Sequence, residues 1–231
     1  MKIEKTNRIS LVEQVVSQME SLIESGAWAV GTRLPPEMEL MERFDVSRNT
    51  LREAVRALVH GGLLQTKQGS GTRVCSSSVL GAAIERRLHK SNLLETLEVR
   101  HALEREAARL AAVRRSEEDV QQLRLQMDAC LKAIQANDHQ AYVEADIQLH
   151  QVIAAASHNN LLIDLYEHMT DALHSSVRNL VELTSCTDVH QRIHGKLVDG
   201  IIAQNEDGAA EAVNEYMAHL KETLSKSLEE L

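Results

Sequence analysis

Residues 34–74 read LPPEMELMERFDVSRNTLREAVRALVHGGLLQTKQGSGTRV. Pro35 and Pro36 open a short helix with apolar Met38, Met41 and Phe44, and the chain breaks at Phe44-Asp45-Val46. Ser47 then offers an N-cap to a second helix whose Leu51, Val55, Leu58 and Val59 fall at helical spacing. That stripe leaves Arg48, Asn49, Thr50, Arg52 and Arg56 on a free face. Gly61-Gly62 stops the helix, and two extended runs, 63–68 and 72–75, flank a Gly69-Ser70-Gly71 tip. Two helices in a tight turn followed by a hairpin make a winged helix-turn-helix. The first turn of its second helix is where Ser, Arg, Asn and Thr side chains meet phosphates and base edges.

Outward from this stretch, Ser10 to Glu13 forms a capping box ahead of a helix with Val12, Val15, Val16, Met19, Leu22 and Ile23 on one face, ending near Ser25-Gly26. Trp28, the single tryptophan, sits in the following turn as an anchor for the helix pair. After Cys75 the pattern changes. Ser76-Ser77-Ser78 begins a connector with a modest helix over 79–88, and Asn92 to Glu95 offers another capping box before a helix that runs to about Arg114. Leu94, Leu97, Leu103, Ala107, Leu110 and Ala111 mark its apolar face. Downstream helices are predicted near 117–136, 139–157, 161–185, 188–205 and 208–229, with breaks at Ser116, Asn137-Asp138, His158-Asn159-Asn160, Thr187 and Asp207-Gly208. Breaks this short imply antiparallel neighbours. The expectation is a mainly α chain: a winged helix-turn-helix over 1–75, a connector over 76–91, and an antiparallel all-helical bundle over 92–231.

Composition agrees. Hydrophobic residues are 43% of the 231, aromatics only 2%, with two prolines and ten glycines, the balance of a helical protein. The formal charge of −9 is unevenly spread: residues 1–75 hold ten basic and nine acidic side chains, and the remainder holds fifteen and twenty-five. Within 43–73 six basic residues face two acidic ones, so the head is the basic surface of an acidic chain. Cys75, Cys130 and Cys186 are scattered and odd in number, which argues against a disulfide framework and for the cytoplasm. No run of some 18 apolar residues suggests a membrane span.

The bundle segment carries a polar constellation. Asp146 and His150 are four apart on one helix among Ala145, Leu149 and Ile153, a spacing that suits two ligands on one cation. A hydrogen-bonded core pair is the plainer alternative. His190 and His194 repeat the spacing later, and His219 follows Tyr216 by almost one turn. Arg100 projects from an otherwise apolar helix face. It is suited either to a small carboxylate or to a salt bridge with Glu104.

These residues resemble the GntR family of bacterial transcription regulators, and within it the FadR subfamily with an FCD effector domain. Leu34 to Glu37, Val46 to Ala54 and Gly69 to Thr72 carry the first half of the resemblance; Glu98 to Arg100, Leu103-Glu104, Asp146, His150, Asn160 and His194 carry the second. It implies operator contacts from Ser47, Arg48, Asn49, Thr50, Arg52 and Gly69. Met38 departs from it, standing where many members have an arginine directed at DNA. It also implies a divalent cation, zinc first and nickel or manganese as alternatives, held by Asp146, His150, His194 and a fourth ligand. His219 is the expected fourth. The interval from His194 is about one turn longer than usual, however, so that Tyr216 falls near the expected place and a three-ligand site is the alternative. Arg100 would bind a small carboxylate effector.

The resulting expectation is a cytoplasmic homodimeric repressor on an inverted-repeat operator, not an enzyme and not at a membrane. A metal-responsive regulator is the alternative. A metal-dependent hydrolase is disfavoured, since no HExxH, GxSxG, Walker or dinucleotide-binding pattern is present.

Overall fold

The computed structural model describes residues 9–88, 90–170 and 188–229, and the side chains of all of these except 188–190 and 223–229. The chain divides into two compact units, 1–87 and 88–231.

In the first unit α1 (Leu11–Glu24) begins with the full capping box. The Glu13 amide donates to Ser10 Oγ at 3.2 Å, and the Ser10 amide to Glu13 Oε2 at 2.7 Å. It buries Val15, Met19 and Ile23 and packs on α3 (Arg48–Gly61). Between them α2 (Glu37–Phe44) starts directly after Pro36 and ends at Asp45, whose φ of 50° is the left-handed turn between the two helices. The helical stripes differ in detail from the sequence reading. Leu40 is the buried residue of α2, with Met41 and Phe44 packed beside the core, while Met38 is 74% exposed. On α3 Leu51, Ala54 and Leu58 are buried, and Val59 faces outward. Each shift is a rotation of about one position about the helix axis, within what a 3.6-residue period leaves open.

The wing is a two-stranded antiparallel hairpin, β1 (Leu64–Lys67) and β2 (Gly71–Val74), with Leu64 opposite Val74. The loop containing Trp28 supplies more than an anchor. Residues 31–34 run along the free edge of β2 through three backbone hydrogen bonds, from Gly31 to Val74, Val74 to Thr32 and Leu34 to Thr72, at 2.9 to 3.0 Å. Helix α4 (Val79–Leu88) falls almost wholly in this unit, and Arg86 Nη1 donates to the Gly61 carbonyl at 3.0 Å.

In the second unit α5 (Leu93–Arg114) packs on α7 (His139–Ala156), α9 (Asp188–Ile202) and α10 (Glu206–Glu229), while α6 (Glu117–Gln135) packs on α7 and α9. A further helix, α8, covers residues 160–170. Asn92 caps α5, and Ser116 with Asp119 forms a complete box at the start of α6. Leu94, expected on the apolar face of α5, is 52% exposed. The end of helix 161–185, the break at Thr187, Cys186 and the His190 side chain lie outside the described residues.

One boundary moves. Asp-Gly at 207–208 reads as a turn in sequence, but the turn lies earlier: Gln204 takes φ 55°, and Asn205 caps α10 by accepting the Gly208 amide at 3.0 Å. Asp207 and Gly208 therefore belong to the first turn of α10. The helix runs from there without interruption past Tyr216 and His219.

Candidate functional site

The head presents its expected DNA face to solvent. Ser47 caps α3 through the Thr50 amide at 3.2 Å and also pairs with the Thr50 hydroxyl at 2.9 Å, which fixes the first turn of the helix. Arg48, Asn49 and Arg52 are exposed along that turn. Arg48 is already engaged: its Nε donates to Glu37 Oε1 at 2.9 Å, tying the starts of α2 and α3 together. Gly69 stands at the wing tip with φ 78° and nothing within 4 Å of where a Cβ would lie. Between α3 and the wing runs a groove of about 970 Å³, lined in part by Arg33, Arg52, Arg56, His60 and Thr72.

In the helical unit Asp146 and His150 leave the same face of α7, as their spacing requires, and α9 brings His194 to them. All three are buried, and one donor atom from each lies within 4.8 Å of the others. His150 Nε2 and His194 Nε2 are 3.2 Å apart, and His194 Nε2 is 3.4 Å from Asp146 Oδ1. Among the described residues neither carboxylate oxygen of Asp146 finds a hydrogen-bond partner, although the residue is only 1% exposed. Burial, followed by the neighbouring His150, pushes the His194 pKa down to about 3, which keeps its ring neutral and able to donate a lone pair.

His219 does not join these three. It lies partly buried on α10, and Tyr216 faces the cluster in its place. The Tyr216 ring centroid is 5.4 Å from that of His150 and 5.2 Å from that of His194.

Beside this cluster lies a charge network of which sequence reading foresaw one contact. Arg100 Nε binds Glu104 Oε1 at 2.6 Å with both residues buried, the salt bridge named above as the alternative to carboxylate binding. Arg100 Nη2 donates to the Tyr216 hydroxyl at 3.4 Å. Tyr166, from α8, donates to Glu104 Oε1 at 2.8 Å, and His150 Nδ1 faces the same oxygen at 3.6 Å. Burial alone would raise the Glu104 pKa, but the Arg100 charge, with hydrogen bonds from Arg100 and Tyr166, holds it below the usual carboxylate range. Burial would likewise lower that of Arg100, and the adjacent Glu104 carboxylate outweighs it. The pair is therefore ionised, with Glu104 behind the far nitrogen of His150. Tyr166 had no sequence signal: its link to Glu104 spans 62 positions and no spacing rule applies.

The two halves match two family models, that for bacterial regulatory proteins of the gntR family over residues 11–74 and that for the FCD domain over 95–219. The chain is a GntR-family regulator with an FCD domain. A regulatory protein assigned to the L-lactate dehydrogenase operon of Escherichia coli K12 is 28% identical over 94% of this chain and 87% of its own. The transcriptional regulator LutR of Bacillus subtilis 168 is 30% identical over 90% of this chain and 99% of its own. A solved GntR structure from Streptococcus agalactiae superposes with a TM-score of 0.56 at 26% identity, covering 91% of this chain and 98% of that one. The GntR-FCD chain is accordingly a DNA-binding transcriptional regulator and not an enzyme. Among its described residues no helix is long and apolar enough to cross a membrane.

Proposed function

We propose that this regulator is a homodimeric, effector-controlled repressor working in the bacterial cytoplasm on an inverted-repeat operator. Its helical unit would hold a divalent cation on Asp146, His150 and His194 and a small carboxylate beside Arg100. Two identical heads match the two-fold axis of such an operator. Ser47, Arg48, Asn49, Thr50 and Arg52 would contact it from α3, and Gly69 from the wing.

The observation that carries the metal assignment is the pair of unbonded oxygens on buried Asp146, next to two imidazole nitrogens directed at each other. A buried carboxylate without partners costs several kcal/mol. A cation would remove that cost, and ligands at about 2.0–2.2 Å in tetrahedral array stand about 3.4 Å from one another, close to the 3.2 and 3.4 Å found here. Zinc fits this donor set, as do nickel and manganese. His150 and His194 would bind through Nε2, with Glu104 orienting His150 from behind. The cation would supply positive charge and coordination positions for an anionic oxygen.

The assignment of Arg100 to a carboxylate rests on its buried guanidinium beside that centre. Because one relative is assigned to an L-lactate dehydrogenase operon, L-lactate leads the panel to be tested. The test is operator binding by fluorescence anisotropy with small carboxylates, with and without chelator. Release of DNA by a carboxylate only when metal is present supports the proposal. Release by chelation alone, with no response to any carboxylate, moves the reading to a metal-responsive regulator.

A further inference from the structure

Tyr216 occupies the side of the three-donor cluster that α10 covers. It is 1% exposed, lies against both imidazoles, and has Arg100 at its hydroxyl and over its ring, with Cζ 5.7 Å from the centroid. Its place is set by the helix start. Asn205 caps α10, and Gly200 on α9 lies so close to Ala209, 3.0 Å from its backbone nitrogen to a Cβ built on the glycine, that α10 has little freedom to slide along α9. An imidazole at 216 would reach the cluster, whereas His219, almost one turn on, is not part of it.

We propose that Tyr216 is a positioning residue standing in for a fourth protein ligand. It closes the α10 side of the centre and leaves the cation three protein donors. Its hydroxyl holds the Arg100 guanidinium beside the three donors. A site with three protein ligands keeps a position for an exogenous oxygen, whereas a fourth imidazole would fill it. A carboxylate entering there would have one oxygen for the cation and another for Arg100, whose guanidinium the Tyr216 hydroxyl holds in place. Tyr216 thus sets both the exchangeability of the cation and the distance between the two anchors of the effector. This inference rests on the metal reading above.

The test uses the full-length protein, freed of metal, titrated with Co(II) alone and then with L-lactate, and read by visible absorption. Tyr216→Phe should keep Co(II) affinity within about tenfold of wild type, whereas loss of a true ligand in His194→Ala should cost more than about a hundredfold. The same Tyr216→Phe protein should need at least about tenfold more lactate to alter the spectrum. Tyr216→His should bind Co(II) at least about tenfold more tightly, with the stronger absorption of a closed tetrahedral site, and should be insensitive to lactate. A Tyr216→Phe protein as metal-poor as His194→Ala would make Tyr216 a ligand and overturn the proposal. So would a Tyr216→His protein that keeps wild-type affinity, spectrum and lactate response. If wild type itself takes up no Co(II), the metal reading fails first, and that result is distinct from either.

Discussion

His150 and His194 approach one another nitrogen to nitrogen, Nε2 to Nε2 at 3.2 Å, across two helices whose sequences are 44 residues apart. With Asp146 beside them and neither of its oxygens hydrogen-bonded among the described residues, a cation would stabilise the arrangement. Stability of the helical unit should therefore depend on metal. Thermal unfolding with excess zinc and with chelator should differ by about 2.7 kcal/mol for a hundredfold excess over Kd. Asp146→Asn should shrink that difference while leaving the chelated protein as stable as wild type, because the unpartnered carboxylate is gone. An unchanged zinc effect in Asp146→Asn would remove Asp146 from the site.

Arg100 and Glu104 are both buried, and each is the other's principal charge partner. Removing one leaves the other unpaired in a dry environment, so Arg100→Ala should destabilise the helical unit by about 3–5 kcal/mol. Replacing both, as Arg100→Met with Glu104→Gln, should recover most of that loss. The double variant is the informative one for function, since it should fold, bind operator DNA and fail to respond to any carboxylate. A normal response would leave Arg100 with the salt bridge alone.

The fold was legible because its signals are local. The Ser10–Glu13 box, the left-handed break before Ser47 and the Gly62 stop are each decided within a few residues, and each appears where the pattern put it. That Asp146 and His150 share one helix face was legible for a similar reason, and the structure brings His194, expected from the family pattern, beside them. What sequence left open, or missed, depends on how helices meet. Whether Tyr216 or His219 faces the cluster turns on the start of α10, and Asn205 rather than the Asp207-Gly208 pair fixes it. Tyr166 reaches Glu104 from a third helix. Met38 reads as part of an apolar stripe by spacing, yet it points to solvent.

On the head, Arg48 and Arg52 leave the same exposed turn, and Arg48 is held there by an acidic partner, Glu37. Each Arg→Ala change should weaken operator binding by about 1–3 kcal/mol if the residue reads a base, or reduce the salt slope by about one if it holds a phosphate. Glu37→Gln should separate the two. It frees Arg48 at a stability cost within about 1 kcal/mol, as befits an exposed pair, and removes a negative charge from the DNA face. Tighter, more salt-dependent binding is the expected result. Unchanged binding in both Arg48→Ala and Glu37→Gln would exclude Arg48 from the interface.

Gly62 ends the recognition helix with φ 88°, and a Cβ there would run into Arg86 Nη1 and approach Ala82 Cβ at 2.9 Å. Gly26 also has positive φ, 74°, but open space around it. An alanine at either site carries the backbone strain of about 1–3 kcal/mol, while only Gly62→Ala adds overpacking, typically about 1–3 kcal/mol more. It also disturbs the hydrogen bond from Arg86 to the Gly61 carbonyl, which fastens α4 to the end of α3. Trp28 is the single tryptophan and packs against this core, so urea unfolding followed by its fluorescence reports on the head alone. Gly62→Ala should lower the midpoint clearly more than Gly26→Ala. Equal losses would mean that α4 yields freely, and the contact of Arg86 with Gly61 would then contribute little to holding the recognition helix in place.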